Sequence, residues 1–184
     1  MSHLHHMFDA AYPPLEPYPG CQGVAGYLGG NTPHVWTLDE WLRFKDLRQL
    51  GIWVADLGAS AADSGAAAAA AAKALGWRPH AETTRAIVLD LETAVDPAWV
   101  NAYANAVEAA GYQTWVYGSE STVVQNPPRA GYWIASWDDV PSLEPIADIV
   151  AHQYSANVSW AGTAVDLSVV GGDAWGHLGF GPRT

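Results

Sequence analysis

The chain has 184 residues, 49% of them hydrophobic, enough for one domain with a sizeable core and too few for two comfortable ones. A formal charge of -11, with eight Lys and Arg in no cluster, excludes a nucleic-acid track and argues against an anionic membrane surface. No run of roughly 18 apolar residues exists to span a bilayer, and the single cysteine, Cys21, excludes an internal disulfide and a cysteine-based zinc site.

Residues 1–8 lack the apolar stretch of a signal peptide, so the expectation is a cytoplasmic protein unless lysis, a non-classical route or a phage route releases it. His3, His5 and His6 read as part of a floppy terminus, with the domain expected over 7–171 of a single-domain chain. Short apolar runs then alternate with helical patterns, which predicts strand–helix units. Strands are expected at 7–11, 23–28, 52–57, 86–92, 112–118, 132–137, 149–155 and 164–169. Helices are expected at 37–50, 60–75 and 96–110, with Gly51, Gly76 and Gly111 as their stops. Thr37 and Glu40 make a capping box for the first helix, and Asp96-Pro97 opens the third. The tract Ala66–Ala72 combines high helix propensity with small side chains, which suits a helix lying close on a sheet. Segments 119–131 and 138–148 leave room for a turn or two of helix, interrupted by Pro127, Pro128 and Pro141. From Gly172 the chain is Gly-rich and short, and reads as a tail packed loosely or on the outside.

Strands followed by helices that dwindle in the second half predict a compact, irregular (β/α) TIM-like barrel. A doubly wound sheet would want a glycine-rich phosphate loop between strand and helix, and Gly26-Tyr27-Leu28-Gly29-Gly30 has the wrong spacing. In a barrel the chemistry gathers at the C-terminal strand ends. Asp9, Asp56, Asp90 and Glu92 stand at such ends, and Asp166 lies within the last strand. Along 85–93, side chains alternate so that Val88, Asp90 and Glu92 share one face. Carboxyls crowded in one bowl raise one another's pKa, which is what a general acid needs. Asp56 reads equally well as a turn acid in Asp-Leu-Gly.

Aromatics concentrate near these acids: Trp115 and Tyr117 share one strand face, Trp133 and Trp137 another, and Tyr154 ends a third strand. Rings flanking a row of acids suit the apolar face of a sugar, whereas Trp36, Trp41, Trp53, Trp77 and Trp99 read as core. Gly118-Ser119-Glu120-Ser121 is no nucleophile elbow, and His34, His80, His152 and His177 show no ligand spacing. His152, within a strand, reads as a hydrogen-bonded core residue.

In order, these motifs resemble the family 25 glycoside hydrolases, the lysozyme-type muramidases. The likeness rests on Asp9, on Asp90-Leu91-Glu92 at that family's Asp-x-Glu, and on Tyr132-Trp133-Ile134-Ala135-Ser136-Trp137. It continues through Gln153-Tyr154-Ser155 and through Gly162-Thr163-Ala164-Val165-Asp166-Leu167-Ser168. The first half is more similar to the related glycoside-hydrolase-like barrels of unassigned function from actinobacteria and their phages. Two positions depart from the muramidases: Ala10-Ala11-Tyr12 follows the first Asp where they have Ser and Gln, and His152 replaces a Trp. The resemblance implies hydrolysis of a β-linked amino-sugar polymer, peptidoglycan foremost, without metal or organic cofactor. Glu92 is then the general acid, with Asp90 ionised beside it and Asp9 and Asp166 tuning the charges. Tyr117, Trp133, Trp137, Gln153, Tyr154 and Asp56 would bind the sugar. The alternative is an inactive barrel that serves as a carbohydrate-binding or structural module.

Overall fold

The computed structural model describes residues 3–78, 85–126, 129–143 and 145–180; His80 and the Pro127-Pro128 pair lie outside them. Eight strands form the wall: β1 Leu4–Asp9, β2 Gly23–Gly30, β3 Arg48–Val54, β4 Ala86–Asp90, β5 Gln113–Ser119, β6 Gly131–Ala135, β7 Ile149–Trp160 and β8 Thr163–Gly171. Each is hydrogen-bonded to the next, and β8 returns to β1, so the ring closes. From β1 to β7 every pairing is parallel. The last strand, β8, runs against both of its neighbours. Its reversal is local in origin: Ala161 and Gly162, at φ 43° and 88°, join β7 to β8 as a two-residue hairpin that needs no crossover helix.

Four helices fill the earlier connections: α1 Leu38–Arg43, α2 Ala61–Ala74, α3 Pro97–Ala109 and the single turn α4 Glu120–Val123. A last turn, α5 Gly172–Trp175, and a two-residue strand, β9 Gly179–Phe180, end the described chain. Alternation along the strands makes two cores. Inside the ring, Met7, Ala25, Leu50, Val88, Trp115, Trp133, Ala151 and Val170 pack together, the two indoles facing small neighbours. Outside it, Phe8, Val24, Ile87, Leu89, Leu91 and Val116 meet the helices through Trp41, Trp77, Tyr103 and Val107. Trp36 is buried there too, while Trp53 and Trp99 are only partly covered.

Three expectations need correction. The helix predicted over 37–50 stops at Arg43, although Thr37 and Glu40 do form the capping box. The reason is tertiary: Arg48–Val54 is needed as the strand between β2 and β4, with Leu50 and Ile52 pointing into the barrel. Gly51 is therefore no helix stop. It sits mid-strand, where a Cβ would strike Leu28 and come within 2.8 Å of the Trp77 ring. Gly76 and Gly111 do end their helices, at φ 76° and 88°.

The N-terminal boundary also moves, because β1 begins at Leu4 and pairs with β8 from there. His5 points to the lower mouth of the barrel and stacks on Trp175 at 4.4 Å. The tail, finally, is a plug. Ala174 and Leu178 are buried with the interior cluster beneath Met7, Leu50 and Ala86, and β9 pairs with the start of β3.

Candidate functional site

At the opposite mouth, the inward positions one step above the apolar interior carry Asp9, Tyr27, Asp90, Tyr117, Gln153 and Asp166. Each follows from the two-residue period: Met7 to Asp9, Ala25 to Tyr27, Val88 to Asp90, Trp115 to Tyr117 and Ala151 to Gln153. Because β8 runs backwards, its early residue Asp166 reaches this end and stands directly opposite Asp9. Of these, Asp9, Tyr27, Asp90, Tyr117 and Asp166 bound a cleft of about 540 Å³, with Glu92, Ser119, Thr122, Trp137 and Asn157 around its rim.

Gln153 organises the floor. Its amide oxygen accepts from Tyr117 Oη and from Trp137 Nε1, both at 2.8 Å. With that oxygen committed, its nitrogen donates to Asp166 Oδ2 at 3.0 Å and to Asp9 Oδ2 at 3.4 Å. Asp166 gains a second donor, the Asn157 backbone N–H at 2.6 Å, which a bulge in β7 with Asn157 at φ 58° aims at it. Asp90 is 2% exposed, and its Oδ1 meets no partner among the described residues.

These surroundings shift the carboxyls unequally. Burial, reinforced by Asp166 and Asp90, holds Asp9 well above the usual carboxylate range, against the opposing Gln153 hydrogen bond. Burial with Glu92 nearby pushes Asp90 up to about 8. Asp166 rises for the same reason of burial, restrained by its two donors. The upward shift of Asp90 favours the neutral carboxyl and runs against the expectation that it stays ionised. Glu92, just past the end of β4, is solvent-exposed at the rim.

Of the sequence-predicted residues, Asp9, Asp90, Glu92, Asp166, Tyr117, Trp137 and Gln153 come together. Trp133 reaches the cleft only as its floor, fully buried, with its indole N–H on Ser168 Oγ at 3.2 Å. Tyr154 does not reach it, because Gln153 takes the inward position and the next residue must face out. Asp56 stands apart in the turn after β3, where its Oδ1 accepts from Gly58 N at 3.0 Å. His152 is a satisfied core histidine between Ser136 Oγ and the Ser142 carbonyl, each at 2.6 Å. His34 is held by Glu40 at 3.1 Å, and the half-buried Cys21 thiol is pushed up to about 12. Two residues were missed: Tyr27, which the alternation in β2 could have flagged, and Asn157, which only the bulge brings in. Among the described residues, no group of three or more His, Cys, Asp or Glu is arranged to hold a metal.

Trp137 is 60% exposed and lies at φ 52°, a backbone region that a bulky side chain enters only when its surroundings force it. Its indole N–H is tied to Gln153, the residue that also donates to Asp9 and Asp166.

No protein-family model and no curated protein matches this chain. Its architecture is nonetheless shared with solved structures. An uncharacterized B. stearothermophilus protein superposes with a TM-score of 0.73 at 19% identity, over 95% of this chain and 99% of that one. The catalytic domain of endolysin ply40 from bacteriophage P40 of Listeria monocytogenes gives 0.71 at 14%, over 94% and 96%. The modular autolysin LytC of Streptococcus pneumoniae gives 0.62 at 17%, over 91% of this chain and 46% of that one. The barrel is therefore a fold also used by endolysin and autolysin proteins.

Proposed function

We propose that the chain is a glycoside hydrolase that cleaves a β-linked amino-sugar polymer, peptidoglycan foremost, in the manner of a muramidase. The observation that carries this reading is the convergence of Asp9, Asp90, Asp166 and Glu92 on one open cleft, with Asp90 Oδ1 buried and without a partner among the described residues. A buried carboxyl without a partner costs stability, and a fold keeps such a group where a ligand needs it. The endolysin and autolysin neighbours support the substrate class.

Glu92 is the general acid in this reading, since it alone of the four sits at the exposed rim where a bridging oxygen can reach it. Its proton passes to the glycosidic oxygen as the bond from that oxygen to the anomeric carbon breaks. Positive charge then develops on the sugar ring, and Asp166, held by two donors, faces it. Asp90 acts as a neutral hydrogen-bond donor, to an acetamido carbonyl or ring substituent; a water then adds to the anomeric carbon, and the proton it loses replaces the one that Glu92 gave up. Trp137 supplies the apolar face on which a sugar stacks.

The test is release of reducing ends from purified peptidoglycan and from other amino-sugar polymers. Glu92→Gln should be at least about 100-fold slower than the wild type. Equal rates would remove Glu92 from the mechanism. An inactive wild type that still binds glycan, with Glu92→Gln melting lower, would instead favour a binding module.

A further inference from the structure

A second cavity, of about 590 Å³, opens beside the cleft at the ends of β2 and β3. Tyr27 and Glu92 line both spaces, so they form the partition between them. The size is that of a small-ligand site. Its lining is mixed: Asn31, Thr32 and Asp56 offer hydrogen bonds, while Val54 and Leu57 offer apolar contact. It is also built rigidly. Gly30, at φ 87°, lies so close to Val54 that a Cβ would overlap the Val54 carbonyl, and Asn31 N donates to that same oxygen at 3.2 Å. Thr32 Oγ1 is fixed by the His34 backbone, and the Gly58 bond fixes the Asp56 carboxylate.

We infer that this second cavity binds the sugar unit on the leaving-group side of the bond that is cut. A general acid must touch the oxygen joining the two units, so the side chain shared by two cavities marks where that oxygen lies. The unit whose anomeric carbon reacts then sits over Asp9, Asp90 and Asp166, and the departing unit sits against Asn31 and Asp56. The ring order agrees: β6, which leads to Trp137, lies four strands from β2, so a glycan stacked on Trp137 and crossing the acids runs towards this cavity. The inference rests on the proposed hydrolase activity and assigns direction to the chain within it.

Two substrates separate the possibilities. One is a soluble β-linked amino-sugar oligosaccharide, which needs both cavities. The other is a disaccharide fluoride of the same sugars, whose leaving group is a fluoride ion and which needs only the cleft. Asn31 is exposed, and Asn31→Trp would fill the second cavity without disturbing the core. The ratio of kcat/KM on oligosaccharide to that on fluoride should fall at least tenfold in Asn31→Trp and at least threefold in Asp56→Ala. Melting curves verify that both variants fold, and Asp56→Ala alone decides if Asn31→Trp does not. An unchanged ratio with an active wild type overturns this subsite and leaves the hydrolase intact. A wild type inactive on both substrates overturns the hydrolase reading, and the subsite with it.

Discussion

Asp90 sits at the end of β4 with one carboxylate oxygen out of reach of any donor described, and its carboxyl is pushed up from 3.8 to about 8. In the unfolded chain the same group ionises near its ordinary value. Below about pH 4 both states hold the proton and the shift contributes nothing. Between about pH 4 and 8 the folded state binds more protons than the unfolded one, so stability falls as pH rises and levels off above 8. Asp90→Asn should therefore raise the melting temperature by about 5 °C or more at pH 7 and by little at pH 4, as thermal melts at both values would show. Loss of stability at pH 7 would mean that the carboxylate has a partner after all. Gln153 acts in the other direction, since its N–H groups restrain the pKa values of Asp9 and Asp166. Gln153→Met should move the acid limb of the activity profile to higher pH and lower kcat by about tenfold or more, read from a pH–rate profile.

At the scale of elements, the short helix α1 depends on its capping box more than a long helix would. Thr37 Oγ1 accepts from Glu40 N at 3.3 Å and Thr37 N donates to Glu40 Oε2 at 2.7 Å. Thr37→Ala should cost about 1 kcal/mol in a denaturant titration. The join of β2 to β3 is less forgiving. Gly30 combines a positive φ with direct contact on the Val54 carbonyl, so Gly30→Ala must shift the backbone that carries both cavities. We expect a loss of about 2 kcal/mol or more, with activity falling alongside stability.

The whole molecule is a tube stoppered at one end and open at the other. Acids and aromatics line the open mouth, while α5, Leu178 and β9 close the lower one against Met7, Leu50 and Ala86. The plug makes the last described segment part of the barrel's interior. Leu178→Ala should cost about 2–4 kcal/mol and lower the melting temperature by about 5–15 °C. A variant ending at Gly171 should lose cooperative melting in calorimetry. If that truncation melted like the full chain, the plug would be an ornament on a barrel that closes without it.

Periodicity alone determined most of the wall. The alternation in 86–90 and 113–117 told which residues share a face, and so that Asp90 and Tyr117 each stand one step above an apolar neighbour of the same face, Val88 and Trp115. Helix caps and stops at Thr37, Asp96, Gly76 and Gly111 were equally legible, because they are satisfied within a few residues. Three things were decided only by the closed ring. Arg48–Leu50 had a helical reading locally, but two neighbouring strands required a third, Arg48–Val54, between them. Glycines and a short tail carry little hydrophobic signal, yet Leu178 is buried because the closed ring leaves a lower mouth that it fills together with Ala174. The raised pKa of Asp90 and the reach of Asn157 to Asp166 depend on burial and on a strand bulge, which exist only once distant segments meet.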